Sequence, residues 1–276
     1  MNKIKIARGL DYFVAILLVF LSIFPILWLF LTSIKNTNEI YSWPVKLLPC
    51  QPTIQNYINL CKMGNFGKYY LNSIIVSGCA TLLILITGTL AAYSFARINF
   101  KGKKIFMMIV LALLLFPTIA VVPPLFLIFR NLGLINNYIS LILGHTALYL
   151  PLAIWILTSY FRTLPKSIED SALIDGCTPS QMIFKVLLPM SLPGLVAAGL
   201  ITFVSSWNEF LLSLVLLSKN EMRTVVVGIS LYPGEYSFPW DLISSAIILA
   251  IIPIILLTLI FQRHIISGLT AGATKY

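Results

Sequence analysis

Long apolar runs separated by short polar stretches set the pattern of this chain. Six of them, at 12–31, 73–95, 105–129, 139–161, 191–217 and 242–261, are rich in Leu, Ile, Val and Phe and nearly free of charge. About 20 apolar residues in a helix span roughly 30 Å of hydrocarbon. The runs are continuous and do not alternate in segments of about ten residues, which excludes a β-barrel. The first run is too long for a cleaved signal sequence, and no small-x-small site follows Phe30-Leu31-Thr32. The pattern predicts an all-α membrane protein with six transmembrane helices, a single domain over 1–276.

Composition sharpens this. Of 276 residues, 59% are hydrophobic and 10% charged, against about 25% charged in a soluble domain. A soluble globular domain and a disordered chain are excluded. Four Cys are too sparse for a disulfide scaffold. Cys50 and Cys61 show no repeated spacing and are read as free thiols.

The net charge of +10 would point to nucleic acid in a soluble protein. Here the basic residues fall between apolar runs, so membrane topology and anionic lipid account for them and no nucleic-acid partner is expected. With the N-terminus inside, inner segments hold twelve Lys and Arg and outer segments seven. The inner excess is sharpest at 98–104, where Lys101, Lys103 and Lys104 crowd together. Both termini are therefore expected in the cytoplasm, in a multi-pass protein of the cell (inner or plasma) membrane. The outer segments 32–72 and 218–241 are long enough to be functional loops, or they are plain connectors.

Enzyme chemistry is missing from the sequence. His145 and His264 have no Cys or carboxylate at ligand spacing, so no metal site is predicted. No phosphate-binding loop of the form G-x-x-x-x-G-K-[ST] occurs. No catalytic residue and no cofactor are predicted, and any ATP must be bound by another chain. Two ionisable residues lie well inside the runs, His145 and Glu209. An ion-coupled carrier usually needs carboxylates or broken helices near the midplane, so this scarcity lowers that reading. Glu209, after Trp207-Asn208, either faces a cavity or partner or makes a helix-packing hydrogen bond. His145 is read as packing. Phe116-Pro117 and Val122-Pro123-Pro124 predict a bent third helix, which lines a pathway or shapes packing alone.

Segment 162–189 is too polar to cross the membrane. Ser167 reads as an N-cap with Asp170 three residues on, and the helix should run to Asp175 and stop at Gly176. A second helix should start with Thr178 as cap, Pro179 at its first position and Gln181 completing a capping box. Leu188-Pro189 should end it. Two such helices either dock in a groove of a soluble partner or lie on lipid.

The same residues carry a resemblance. Asp170-Ser171-Ala172, Gly176, Val186 and Leu188-Pro189 fit the spacing of the EAA loop of ABC importer permeases, E-A-A-x3-G-x9-I-x-L-P. Asp170, Ser171 and Val186 depart from its usual residues. Four other stretches resemble the carbohydrate branch, the MalG-like permeases of maltose-type importers: Thr32-Ser33-Ile34-Lys35, Asn72-Ser73, Ser206-Trp207-Asn208-Glu209-Phe210, and the tail from Gln262-Arg263 through Gly268-Leu269-Thr270-Ala271-Gly272 to Lys275.

The resemblance implies a MetI-like type I importer permease fold and ATP-driven, binding-protein-dependent import of sugars or oligosaccharides by alternating access. It implies four kinds of partner: a homologous second permease, two ATP-binding cassette ATPase subunits, an extracellular solute-binding protein and the sugar. ATPase coupling would fall to Glu169, Asp170, Ser171, Ala172, Asp175, Gly176, Leu188 and Pro189. Pro117, Pro123, Asn208 and Glu209 are the pathway candidates. Tyr232, Pro233, Gly234 and Tyr236, in a turn of the second outer loop, are candidates for touching the binding protein. An ion-coupled carrier working alone and an ABC permease for a non-sugar solute are the alternatives.

Overall fold

The computed structural model describes residues 2–62, 65–233 and 238–270, and among them there is no strand. Helix α1 (Asn2–Ser33) leads through α2 (Thr37–Ile40) and α3 (Gln55–Lys62) into α4 (Phe66–Arg97). Next come α5 (Lys103–Leu114), α6 (Thr118–Asn131) and α7 (Tyr138–Phe161). Short pieces follow: α8 (Ser167–Ile174), α9 (Pro179–Gln181), a π-helical stretch (Met182–Leu187) and α10 (Leu188–Met190). The rest comprises α11 (Leu192–Trp207), α12 (Leu211–Leu216), a 3-10 turn (Asn220–Met222), α13 (Val225–Ser230) and α14 (Trp240–Thr270).

Four helices are long and apolar enough to cross a membrane, and two bent pairs bring the number to six if each pair is one crossing. Runs one, two, four and six each form one helix. Run three does not stay whole. It was expected as one bent helix, but α5 and α6 meet at 100° across a break. Pro117 has no N–H to continue the ladder, and it takes an extended conformation (φ −62°, ψ 125°) before α6. Ahead of it, Leu115 and Phe116 donate back to the carbonyls of Ala112 and Leu113, closing the end of α5 with tight turns. Pro123 and Pro124 lie inside α6 without ending it. Run five also departs from expectation. Its helix stops at Trp207 and restarts at Leu211, and α11 is bent by 77° from the helical stretch 179–190.

Backbone contacts divide the chain into two compact units, Met1–Gly67 with Gly228–Ile252, and Lys68–Val227 with Pro253–Tyr276. In the first unit, the side chains along α1, such as Phe13, Ile16, Phe20 and Leu27, are exposed and apolar, as lipid contact requires. The Thr32-Ser33-Ile34-Lys35 stretch is tied down where α1 ends. Asn56 Nδ2 donates to the carbonyls of Ser33 at 2.9 Å and Lys35 at 2.8 Å, and the Ser33 and Tyr57 hydroxyls meet at 2.7 Å. Buried Lys35 donates to the Lys46 carbonyl, with its ammonium 5.0 Å from the centre of the Trp28 ring. Tyr41 donates to the Phe238 carbonyl, and Thr37 to Asp241.

The second unit holds most of the packed interior. Val76, Val122, Phe129, Leu141, Leu212 and Leu216 join α4, α6, α7 and α12. Ala92, Leu157, Phe161 and Ala198 join α4, α7 and α11. In lipid, apolar burial gives little drive for helices to associate, so close packing matters more. Helix α11 offers α7 a face of small residues, with Gly194, Ala197 and Ala198 buried. A Cβ on Gly194 would lie 2.5–2.9 Å from three ring atoms of Tyr160, so only glycine allows this approach.

Candidate functional site

The segment between α7 and α11 is built from local backbone chemistry. After α8, Gly176 takes φ +85°, the left-handed region open to glycine. Cys177 N then donates to the Ala172 carbonyl at 3.0 Å and Gly176 N to Leu173 at 3.1 Å, the paired bonds of a Schellman turn. Thr178 caps α9 as expected. Its hydroxyl accepts from Gln181 N, and the Gln181 side chain accepts from Thr178 N. Two expectations fail here. Ser167 is not an N-cap, because Lys166 has helical dihedrals (φ −66°, ψ −28°) and fills that place without a side-chain bond. Lys166 O already accepts from Glu169 N and Asp170 N, so Ser167 lies inside the first turn. Leu188-Pro189 does not end the second helix either. The helical path runs on to Met190, because a proline near the start of a helical piece removes no bond that the piece needs.

The residues proposed for coupling divide by exposure. Asp170, Ser171, Asp175, Gly176 and Pro189 are exposed, Leu188 is half-buried, and Ala172 is buried with Met182 and Leu187. Glu169 points inward. Its Oε1 lies 2.5 Å from Arg97 Nε as a charge contact and not an aligned hydrogen bond, with the side chains 7% and 13% exposed. Glu169 thus meets a cation of its own chain. The sequence reading missed Arg97, since nothing in the spacing of a helix end and a later loop pairs them. It also passed over Ile174, which is 84% exposed beside Asp175.

A second constellation surrounds the break in run five. Glu209 is buried and folds toward the start of α12. Its Oε1 accepts from Leu212 N at 2.7 Å, and its Oε2 accepts from Ser213 N and Ser213 Oγ, each at 2.9 Å. A carboxylate suits the positive end of a helix. Oε2 also lies 3.2 Å from Nε2 of fully buried His145. His145 Nδ1 meets Ser206 Oγ at 2.6 Å, and Ser206 Oγ donates to Ser77 at 3.3 Å. This network joins α4, α7, α11 and α12, and it gives both ionisable residues packing partners. Asn208 is exposed, as are Pro117 and Pro123. The polar stretch Ser206–Glu209 before a second apolar stretch was a readable signal for a helix start.

A third constellation gives Asn72-Ser73 a role. Asn72 Nδ2 donates to the carbonyls of Glu221 at 2.9 Å and Arg223 at 3.0 Å, and Ser73 Oγ accepts from Val225 N at 2.8 Å. Tyr69 donates to Asn220 Oδ1 at 2.5 Å. The start of the 218–241 segment is thus strapped to α4. Tyr232 and Pro233 are half-buried, while Gly234 and Tyr236 of the proposed turn lie outside the described residues, as do 271–276 of the tail. Among the described residues, no three His, Cys, Asp or Glu gather as a metal site would require.

The chain is similar to known proteins over nearly its full length. It is 39% identical to the sulfoquinovosyl glycerol transport system permease SmoH of Agrobacterium fabrum, over 97% of this chain and 94% of that one. It is 37% identical to the trehalose transport system permease SugB of Mycobacterium tuberculosis, over 98% and 99%. It is 36% identical to the trehalose/maltose transport system permease MalG of Thermococcus litoralis, over 95% and 94%. A permease chain from the crystal structure of a bacterial ABC transporter involved in alginate import shares the fold, with TM-score 0.83 at 23% identity, over 95% of this chain and 98% of that chain. The model of the binding-protein-dependent transport system inner membrane component matches residues 84–270. That match favours a subunit of such a system over a carrier working alone, and it covers the capped segment after α7 together with His145, Ser206 and Glu209. The chain belongs to the family of binding-protein-dependent transport system inner membrane components.

Proposed function

We propose that this chain is the permease subunit of an importer for sugars or oligosaccharides, driven by ATP that a separate subunit hydrolyses. The observation that carries this is the pair of capped short helices, α8 and the stretch from Pro179, held between two membrane helices with an exposed polar and apolar face. That shape suits insertion into a groove of a soluble partner. Sugars are named as the solute because SmoH, SugB and MalG are permeases of systems named for sugars.

In this reading both termini are cytoplasmic, and the segment after α7 meets two ATP-binding cassette subunits. A second, homologous permease completes the pathway. An extracellular binding protein docks on the opposite side, where the Tyr232–Tyr236 turn touches it. Asp170, Asp175 and the exposed apolar residues Leu173 and Ile174 form the coupling contact. Asn208 and the break at Pro117 border the pathway. The chain itself is not an enzyme and binds no ATP.

The test is uptake and cross-linking together. Deleting the gene should abolish uptake of at least one of trehalose, maltose and sulfoquinovosyl glycerol. A Leu173→Cys variant, with the native cysteines replaced, should cross-link to the ATPase subunit in an active complex. Unchanged uptake of all three solutes, or an active complex with no cross-link, overturns the reading.

A further inference from the structure

We propose that Arg97 is a positioning residue for coupling, and that its ion pair with Glu169 makes α4 and the α8 segment move as one piece. The inference rests on the proposed function and adds the joint through which motion passes.

The guanidinium of Arg97 holds two points of the segment at once. Nε meets Glu169 Oε1 at 2.5 Å, and Nη2 donates to the Leu164 carbonyl at 2.8 Å. Leu164 lies between α7 and α8, and Glu169 lies in the first turn of α8. One planar fork on α4 therefore fixes both the approach to α8 and its start. Each charge also sits where its helix favours it, Arg97 in the last turn of α4 and Glu169 in the first turn of α8.

The apolar contacts around the pair do not supply this. Tyr93 of α4 packs on the cluster of Ala172, Met182 and Leu187, and its ring stands edge-on to Phe161 at 6.3 Å. Such contacts hold the segment close but are non-directional and permit sliding. A buried ion pair is different. Separation leaves two charges without partners in a site shielded from water, so the register is held firmly. A push on the exposed face of α8 at Asp170, Leu173 and Ile174 then reaches α4 without slack. Glu169 contributes from behind, holding the helix at its angle, and does not meet the partner itself.

The experiment uses the full complex in liposomes, with its ATPase and solute-binding protein, and radiolabelled trehalose as the probe. Uptake and ATP hydrolysis are measured per assembled complex for wild type, Arg97→Ala, Glu169→Gln and the swapped pair Arg97→Glu with Glu169→Arg. Arg97→Ala and Glu169→Gln should keep hydrolysing ATP while trehalose moved per ATP falls about tenfold, within the range seen when a coupling residue is removed. The swapped pair should recover most of that ratio. An unchanged ratio in Arg97→Ala, or equal losses of uptake and hydrolysis, overturns the inference. If Arg97→Ala does not assemble, the swapped pair decides: recovery of assembly and ratio supports it, and recovery of assembly alone overturns it. If the wild-type complex takes up no trehalose, the probe becomes maltose or sulfoquinovosyl glycerol. Uptake of none of the three counts against the proposed function instead, and the inference falls with it.

Discussion

The Tyr138 hydroxyl donates to the side-chain oxygen of Asn72 at 2.8 Å, and this sets which way the Asn72 amide faces. With its oxygen held by Tyr138, its nitrogen is turned to the carbonyls of Glu221 and Arg223. One side chain on α4 thus binds the beginning of α7 and the segment after α12. Replacing Asn72 by Ala removes all three bonds and leaves carbonyls unpaired. A loss of about 1–3 kcal/mol is expected. Trypsin should then cut faster after Lys219 and Arg223, and limited proteolysis in detergent checks this. Unchanged cleavage rates would show that the strap contributes nothing.

The His145–Glu209 network should behave as packing. His145→Ala opens a cavity and removes a partner from a buried carboxylate, at an expected cost of about 3 kcal/mol or more. Glu209→Gln keeps the shape but places an amide donor near N–H groups that need an acceptor, and it should cost about 1–3 kcal/mol. Thermal unfolding of the purified complex measures both. Transport should fall only as far as folded complex is lost. A transport defect at wild-type stability would instead mark Glu209 as a pathway residue.

Gly176 should tolerate substitution in a fixed order. At φ +85° a Cβ is strained whatever space surrounds it, and left-handed backbone costs ordinary residues on the order of 1–2 kcal/mol. Asn is the mildest replacement, Ala is worse, and Val is the worst because it is β-branched. Midpoint temperatures of the three variants should rank in that sequence. Equal values would mean that the Schellman turn is not held in the complex.

Gly194 and Tyr160 should couple. Gly194→Ala forces the Tyr160 ring aside near its root, where it cannot simply swing away, and overpacking of this kind costs about 1–3 kcal/mol. Tyr160→Ala should relieve that cost, so the double variant should be more stable than the sum of the two single losses. Strict additivity in a double-mutant cycle would show that the two helices do not meet there.

Features that local physics controls were legible in the order of residues. Run length against hydrocarbon thickness gave the crossing helices, because backbone N–H and C=O groups in lipid must be paired within a helix. The Thr178–Gln181 box and the reversal at Gly176 were legible because each closes within a few residues. The EAA spacing from Asp170 to Pro189 pointed to the family for the same reason, being local and short. Ser167 shows where local reading ends: the same cap chemistry was present, but the turn began one residue earlier at Lys166. Tertiary structure alone decided the rest. It turned Glu169 inward to Arg97, gave Asn72 its two carbonyls, and broke run five where Glu209 caps a second helix. Each of these joins residues from different elements or depends on what a neighbouring helix offers. A carboxylate in the first turn of a helix favours that position whichever way it points. Only the packing of α4 beside α8 supplied the cation that settled its direction.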